Sequence, residues 1–111
     1  MATLSSHLLN SVNGTHASGV NISINQINPS GDKKIFYEAK TDESGRILKE
    51  FELSKEDCSC EYEMICKTAE YFSEKKIVSE IIIKFKMEDP SKKYHLPIII
   101  SPNGYSIWWS E

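Results

Sequence analysis

Residues 92–106 read Lys-Lys-Tyr-His-Leu-Pro-Ile-Ile-Ile-Ser-Pro-Asn-Gly-Tyr-Ser, and this stretch decides the fold of the chain. Alternate residues form an apolar row: Tyr94, Leu96, Ile98 and Ile100. The residues between them are His95, Pro97 and Ile99. Because successive side chains of a strand point to opposite faces, the run predicts a strand with His95 on its less apolar face. Pro-Asn-Gly then predicts a turn into a second strand that runs to the end of the chain.

Similar alternating runs fill the rest of the chain. Strands are predicted at residues 3–10, 20–27, 35–41, 62–66 and 79–87, with a further short strand beginning at 46–48. On the first strand Ser5, His7 and Leu9 share one face. Residues 68–75 are predicted to form the one helix, with Thr68 as its N-cap. About eight short strands and one short helix predict an all-β fold, a two-sheet antiparallel sandwich.

Length and charge exclude several classes of protein. The 111 residues predict a single domain over 1–111. The formal net charge is −3, with lysines interspersed among glutamates, so we expect no nucleic-acid partner. No run of about 18 apolar residues is present, so we expect no membrane span. The first residues lack the pattern of a signal peptide and the last lack a Ser-Lys-Leu address, so we expect a cytoplasmic protein.

The cysteines and histidines give no metal-binding pattern. Cys58 and Cys60 are spaced Cys-x-Cys, which is not a usual zinc-ligand spacing, and Cys66 makes their number odd. We therefore expect reduced thiols, with no metal and no cofactor.

Three motifs together resemble the transthyretin-like family, and in particular its 5-hydroxyisourate hydrolase branch. Residues 4–10, Leu-Ser-Ser-His-Leu-Leu-Asn, resemble the N-terminal strand motif of that branch, and residues 41–47 contain its T-x-x-x-G-R pattern. Residues 94–106 are similar to its Y-H-x-P-x-x-x-S-P-x-x-Y-S signature. The resemblance implies a transthyretin-like sandwich of eight strands with one short helix, assembled as a homotetramer from two dimers.

The resemblance also implies an activity. At the three polar positions that distinguish the hydrolases from hormone-carrying transthyretins, this chain has His7, Arg46 and His95. These residues are then the expected catalytic set for opening a cyclic acyl-ureide by water attack during urate degradation, without a metal. Two imidazoles can share the base and acid roles, and an arginine can stabilise developing negative charge. Which histidine is the base stays open.

The end of the chain departs from the branch. The hydrolases end Tyr-Ser-Thr-Tyr-Arg-Gly-Ser, whereas this chain ends Tyr-Ser-Ile-Trp-Trp-Ser-Glu. Ser106, Trp108 and Trp109 are the expected substrate-binding residues, with Trp109 at the position of the tail arginine. The change leaves two alternatives: an enzyme of the same fold acting on a different heterocycle, or a non-catalytic carrier of aromatic ligands.

Overall fold

The computed structural model describes residues 1–72 and 77–109, and within them the chain forms nine strands and one short α-helix. The strands are β1 Ala2–Asn10, β2 Thr15–His16, β3 Asn21–Ile27, β4 Lys33–Lys40, β5 Arg46–Phe51, β6 Glu61–Cys66, β7 Ile81–Lys86, β8 Lys93–Ser101 and β9 Gly104–Ile107. Helix α1 is Thr68–Tyr71, and a 3-10 turn covers Asp57–Ser59. In this part of the chain no helix is long and apolar enough to cross a membrane.

The strands form two sheets, as the alternating pattern predicts. In the first sheet β1 is central: β8 pairs with one edge of β1 in parallel, and β5 and β2 pair with its other edge in succession. Strand β9 completes this sheet beyond β8. The second sheet has the order β4-β3-β6-β7 and is antiparallel throughout. The sandwich is therefore mostly antiparallel, with one parallel pair at its centre.

The inward faces of both sheets make the core. Strand β1 alternates between buried and half-buried residues along its whole length. The predicted apolar row of β8 is confirmed, because every member is buried: Tyr94, Leu96, Ile98 and Ile100. The second sheet contributes fully buried residues such as Ile24, Tyr62 and Met64. Each fully buried side chain of this size contributes about 1.5–3 kcal/mol, so the core fixes which face of β1 and β8 stays accessible.

The predicted helix at residues 68–75 is shorter, and its predicted N-cap is wrong. Lys67 holds the cap position, and the helix ends before Phe72, which is extended. Residues 73–75 lie outside the described part of the chain. The Ala69 N–H is satisfied by the Ser79 carbonyl, so no side-chain cap is needed there. The hydroxyl of Thr68 is instead buried and has no hydrogen-bond partner among the described residues.

Two further boundaries differ from the sequence prediction. The last strand ends at Ile107 and does not run on through Trp108 and Trp109. The two-residue strand β2 was not predicted, because a run this short shows no alternation. Strand β2 carries His16, the one histidine of the chain outside the predicted catalytic set.

Candidate functional site

The outward face of the first sheet brings the three predicted catalytic residues together. His7 of β1 lies directly opposite Arg46 of β5. On the other side of β1, Ser5 lies opposite His95 and His7 lies opposite Pro97 of β8. Neighbouring strands are about 4.8 Å apart. Three strands far apart in sequence therefore place two imidazoles and one guanidinium on a single face.

His95 is held by a neighbour on β1. Its Nδ1 lies 2.8 Å from Oγ of Ser5, and both side chains are partly buried. This hydrogen bond orients the ring and leaves Nε2 as the nitrogen without a partner in that contact. Ser5 was placed on the same face by alternation, but its contact with His95 follows only from the parallel pairing of β1 with β8.

His7 contacts a histidine that sequence reasoning missed. Its Nε2 lies 2.9 Å from Nδ1 of His16, and the two ring centroids are 5.0 Å apart. His16 reaches this position because β2 folds back on the end of β1, where His16 lies opposite Leu9. The available signal was only that the chain has a further histidine after an Asn-Gly turn.

The environment of His7 disfavours its charged form. The pKa of His7 is lowered from its ordinary value of 6.5 by burial first, then by the charges of Arg46, His16 and, last, His95. A hydrogen bond to the backbone of Ser44 opposes these effects and raises the pKa. Because the net shift is downward, His7 is neutral at pH 7 and able to accept a proton.

The turn before β5 explains the T-x-x-x-G-R pattern. The buried hydroxyl of Thr41 accepts from the N–H of Val20 and donates to the carbonyl of Ala17. Gly45 has a φ of 73°, and a Cβ there would lie 2.5 Å from the carbonyl oxygen of Leu8. The Gly45 carbonyl in turn accepts from the N–H of Leu8. Only glycine allows this close approach, and it sets the first residue of β5 beside His7.

Asp42 secures the backbone on either side of that glycine. Its Oδ1 accepts from the N–H groups of Ser44 and Arg46, each at 2.9 Å. The hydrogen bond from the Arg46 N–H is the main reason that the pKa of Asp42 is lowered. The carboxylate thus holds the turn that presents the Arg46 guanidinium.

The three predicted substrate-binding residues divide between two directions. Ser106 lies opposite Ile99 and therefore on the same face as His95. The N–H of Trp108 donates to the Pro97 carbonyl, which continues that register and places Trp108 opposite Pro97. The ring of Trp109 instead lies 5.9 Å from the ring of Tyr94, whose side chain belongs to the inward face.

A depression of about 390 Å³ lies on this outward face and is lined by residues that include Ser5, Asp42, Arg46 and His95. A second depression of about 490 Å³ lies elsewhere, between the 28–34 loop and the 3-10 turn. The first depression is lined by both the guanidinium of Arg46 and the imidazole of His95, and this combination suits a polar planar ligand. The second contains none of the predicted site residues.

Comparisons with known proteins identify relatives that match nearly the whole chain. A 5-hydroxyisourate hydrolase of Halalkalibacterium halodurans is 26% identical over 112 residues, which cover 95% of this chain and 94% of that protein. A 5-hydroxyisourate hydrolase of Salmonella dublin is 32% identical over 108 residues, which cover 95% of this chain and 78% of that protein.

Two solved structures superpose closely on this chain. The 5-hydroxyisourate hydrolase of Klebsiella pneumoniae superposes with a TM-score of 0.80 at 25% identity, with all of both chains covered. An (S)-allantoin synthase superposes with a TM-score of 0.82 at 26% identity, although this chain spans only 44% of its length. The model of the HIUase/Transthyretin family matches residues 4–109. The chain therefore belongs to the HIUase/Transthyretin family.

Proposed function

We propose that this protein is a 5-hydroxyisourate hydrolase of urate degradation. The observation that carries the proposal is that His7, Arg46 and His95 share one face across β5, β1 and β8. Relatives that bear this name cover nearly the whole chain. A carrier that only binds its ligand needs neither an imidazole kept neutral nor a second imidazole beside it.

In the proposed reaction His7 removes a proton from the attacking water. Its lowered pKa supports this role because the neutral imidazole predominates at pH 7. The water oxygen forms a bond to the ring carbonyl carbon, and the carbonyl oxygen gains negative charge. Arg46 donates hydrogen bonds to that oxygen, which is the position where a fixed positive charge lowers the barrier most.

His95 completes the reaction on the other side of β1. The carbon–nitrogen bond of the ring breaks, and the leaving nitrogen takes a proton from His95. The hydrogen bond between Ser5 Oγ and His95 Nδ1 supports this assignment, because it occupies Nδ1 and leaves Nε2 to face the substrate. Each turnover thus adds one proton to His7 and removes one from His95, and proton exchange with solvent water returns both imidazoles to their starting forms, while Arg46 transfers no proton.

Ser106 and Trp108 are proposed to bind the substrate at the rim of this face, and Trp109 to shape that rim. The position of Trp108 opposite Pro97 supports stacking on a planar ring. Trp109 packs against Tyr94 and supplies no cation. This favours a second candidate function, an enzyme of the same fold that acts on a less anionic heterocycle.

We also propose a cytoplasmic, single-domain homotetramer. Strands β9 and β7 are the outer strands on one side of the two sheets, and the Asn103 side chain accepts from the N–H of Ile77 between them. This side exposes Tyr105 and Ile82. An unpaired, apolar strand edge is suited to pairing with a second copy. Two such dimers would then cover the outward face that carries the histidines.

The test is the decay of 5-hydroxyisourate generated in place from urate, followed by ultraviolet absorbance with and without the purified protein. The proposal expects decay far faster than the spontaneous rate. Trp109→Arg serves as the matched variant for the second candidate. If the wild type leaves the decay unchanged while Trp109→Arg accelerates it, the protein acts on a different heterocycle.

A further inference from the structure

We propose that His16 is a positioning residue for His7, holding the His7 ring in place and sharing a proton with it. The inference rests on the proposed function for its catalytic consequence, because it assigns His7 a second imidazole as its partner. It adds a third imidazole to the outward face, contributed by a strand of only two residues.

The contact between the two rings is specific in its geometry. Nε2 of His7 and Nδ1 of His16 are 2.9 Å apart, a distance at which one nitrogen donates and the other accepts. The rings are tilted by 32°, so the contact is a hydrogen bond between nitrogens and not a face-to-face stack. One proton lies between the two nitrogens, and its position decides the tautomer of both rings.

The backbone around His16 is fixed, so the contact is built into the fold. The N–H of Ala17 donates to the Leu8 carbonyl immediately after His16. Before it, the side chain of Asn13 accepts from the N–H and the hydroxyl of Thr15. The connecting turn passes through Gly14 at a φ of 71°, which suits glycine. Hydrogen bonds of the residues on both sides of His16 therefore hold it beside His7.

Charge couples the two rings. The charged groups that act on His7 are Arg46 of β5, His16 of β2 and His95 of β8, and all three oppose its protonation. His16 is the exposed member of the pair and His7 is the partly buried one. Because two positive imidazoles so close together repel, the charge of His16 is one of the causes that lower the pKa of His7. His16 thus lowers the pH down to which His7 can act as a base.

The experiment uses two substitutions that separate position from charge. His16→Asn replaces Nδ1 with an amide that still hydrogen bonds but does not titrate, and His16→Ala removes both properties. The wild type and both variants are titrated by NMR of the imidazole nitrogens, and kcat and KM for 5-hydroxyisourate are measured against pH. Val12→Ala, at an exposed residue of the turn that leads to β2, is the control.

We expect the pKa of His7 to rise in both His16 variants, which moves the acid limb of kcat to higher pH. At pH values above the acid limb, His16→Ala is expected to lower kcat about tenfold, since the His7 ring is no longer held in position. His16→Asn retains its kcat there, and KM changes little in either variant. An unchanged His7 titration in His16→Ala would overturn the inference. If the pKa of His7 rises but no form of the protein hydrolyses 5-hydroxyisourate, the pairing stands and the proposed function fails.

Discussion

His7 and Arg46 lie directly opposite each other in the antiparallel pairing of β1 with β5. The guanidinium carries a positive charge, and this charge is one of the causes that lower the pKa of His7. The same register sets its planar donors on the face where the substrate carbonyl would be attacked. In the proposed mechanism, one strand pair thus supplies both the neutral base and the group that stabilises the negative charge formed by its action.

Substitution of Arg46 separates these two roles. Arg46→Lys keeps the positive charge but loses the planar pair of donors, and Arg46→Gln loses the charge. We expect both to lower kcat/KM by about 100-fold, since the hydrogen bonds to the developing oxyanion weaken. Only Arg46→Gln is expected to raise the pKa of His7. Steady-state kinetics across pH measures both effects, and an acid limb that moves equally in the two variants would contradict the assignment.

Activity in the wild type is expected to persist below the ordinary pKa of an imidazole. The pKa of His7 is lowered from 6.5 by burial, Arg46 and His16, and a base must be unprotonated to act. As pH falls through 6.5, an unperturbed imidazole would take a proton while His7 does not. The acid limb of kcat/KM is therefore expected below pH 6.5. An acid limb at or above 6.5 would rule out His7 as the base.

The same shift affects stability with a defined sign. The unfolded chain binds a proton at this histidine near pH 6.5, before the folded chain does. The contribution of His7 to the free energy of unfolding is therefore fully present above pH 6.5. It is lost as the pH falls from 6.5 towards the lower pKa of His7 in the folded chain. In His7→Gln this contribution to the pH dependence of urea unfolding should be absent.

Two glycines offer a matched test of the turn that presents Arg46. Gly14 and Gly45 have nearly equal φ values of 71° and 73°. A Cβ added at Gly14 would have no heavy atom within 4 Å, whereas a Cβ added at Gly45 would lie 2.5 Å from the carbonyl oxygen of Leu8. Alanine at either position should cost about 1–2 kcal/mol for its backbone conformation. At Gly45 the clash should add about 1–3 kcal/mol.

Urea unfolding measures both alanine variants. Gly45→Ala should also lower activity, because the turn must move away from β1 and take Arg46 with it. Equal losses of stability in the two variants would show that the close approach of Gly45 to Leu8 is unimportant.

The proposed assembly can be tested on two exposed isoleucines of the second sheet. Ile82 lies on the outer strand β7, and Ile35 lies on the opposite outer strand β4, which is rich in lysine. Ile82→Lys should shift the assembly towards smaller species because it places charge at the proposed contact. Ile35→Lys should leave the mass unchanged. Light scattering after size exclusion would contradict the proposal if Ile82→Lys kept the full mass.

The alternating pattern was sufficient to predict a two-sheet sandwich and the accessible face of β8, but not the parallel pairing of β1 with β8. Tyr94, Leu96 and Ile98 are buried as the period of two requires, and His95 lies on the other face because of the same period. The family resemblance added Arg46, which has no periodic signal of its own, and the structure supplies its physical reason in the close approach of Gly45 to β1.

The features that sequence could not supply depend on contacts between distant or very short segments. His16 lies beside His7 because β2 folds back over a turn, and two residues are too few to show a period. The prediction of Thr68 as the N-cap was wrong because the backbone carbonyl of Ser79 accepts the hydrogen bond from the Ala69 N–H at the start of the helix. Trp109 follows the end of β9 at Ile107, and its ring packs against Tyr94 on the inward side, away from the face that holds Trp108.

The most direct test of the account is the decay of freshly generated 5-hydroxyisourate in the presence of wild type, His7→Ala and His95→Ala, each first shown to be folded and equally assembled. The account predicts strong acceleration by the wild type and a loss of at least about 100-fold in each variant, as expected when a general acid or base is removed. Acceleration that survives in His7→Ala and His95→Ala would contradict the assignment of catalysis to this face.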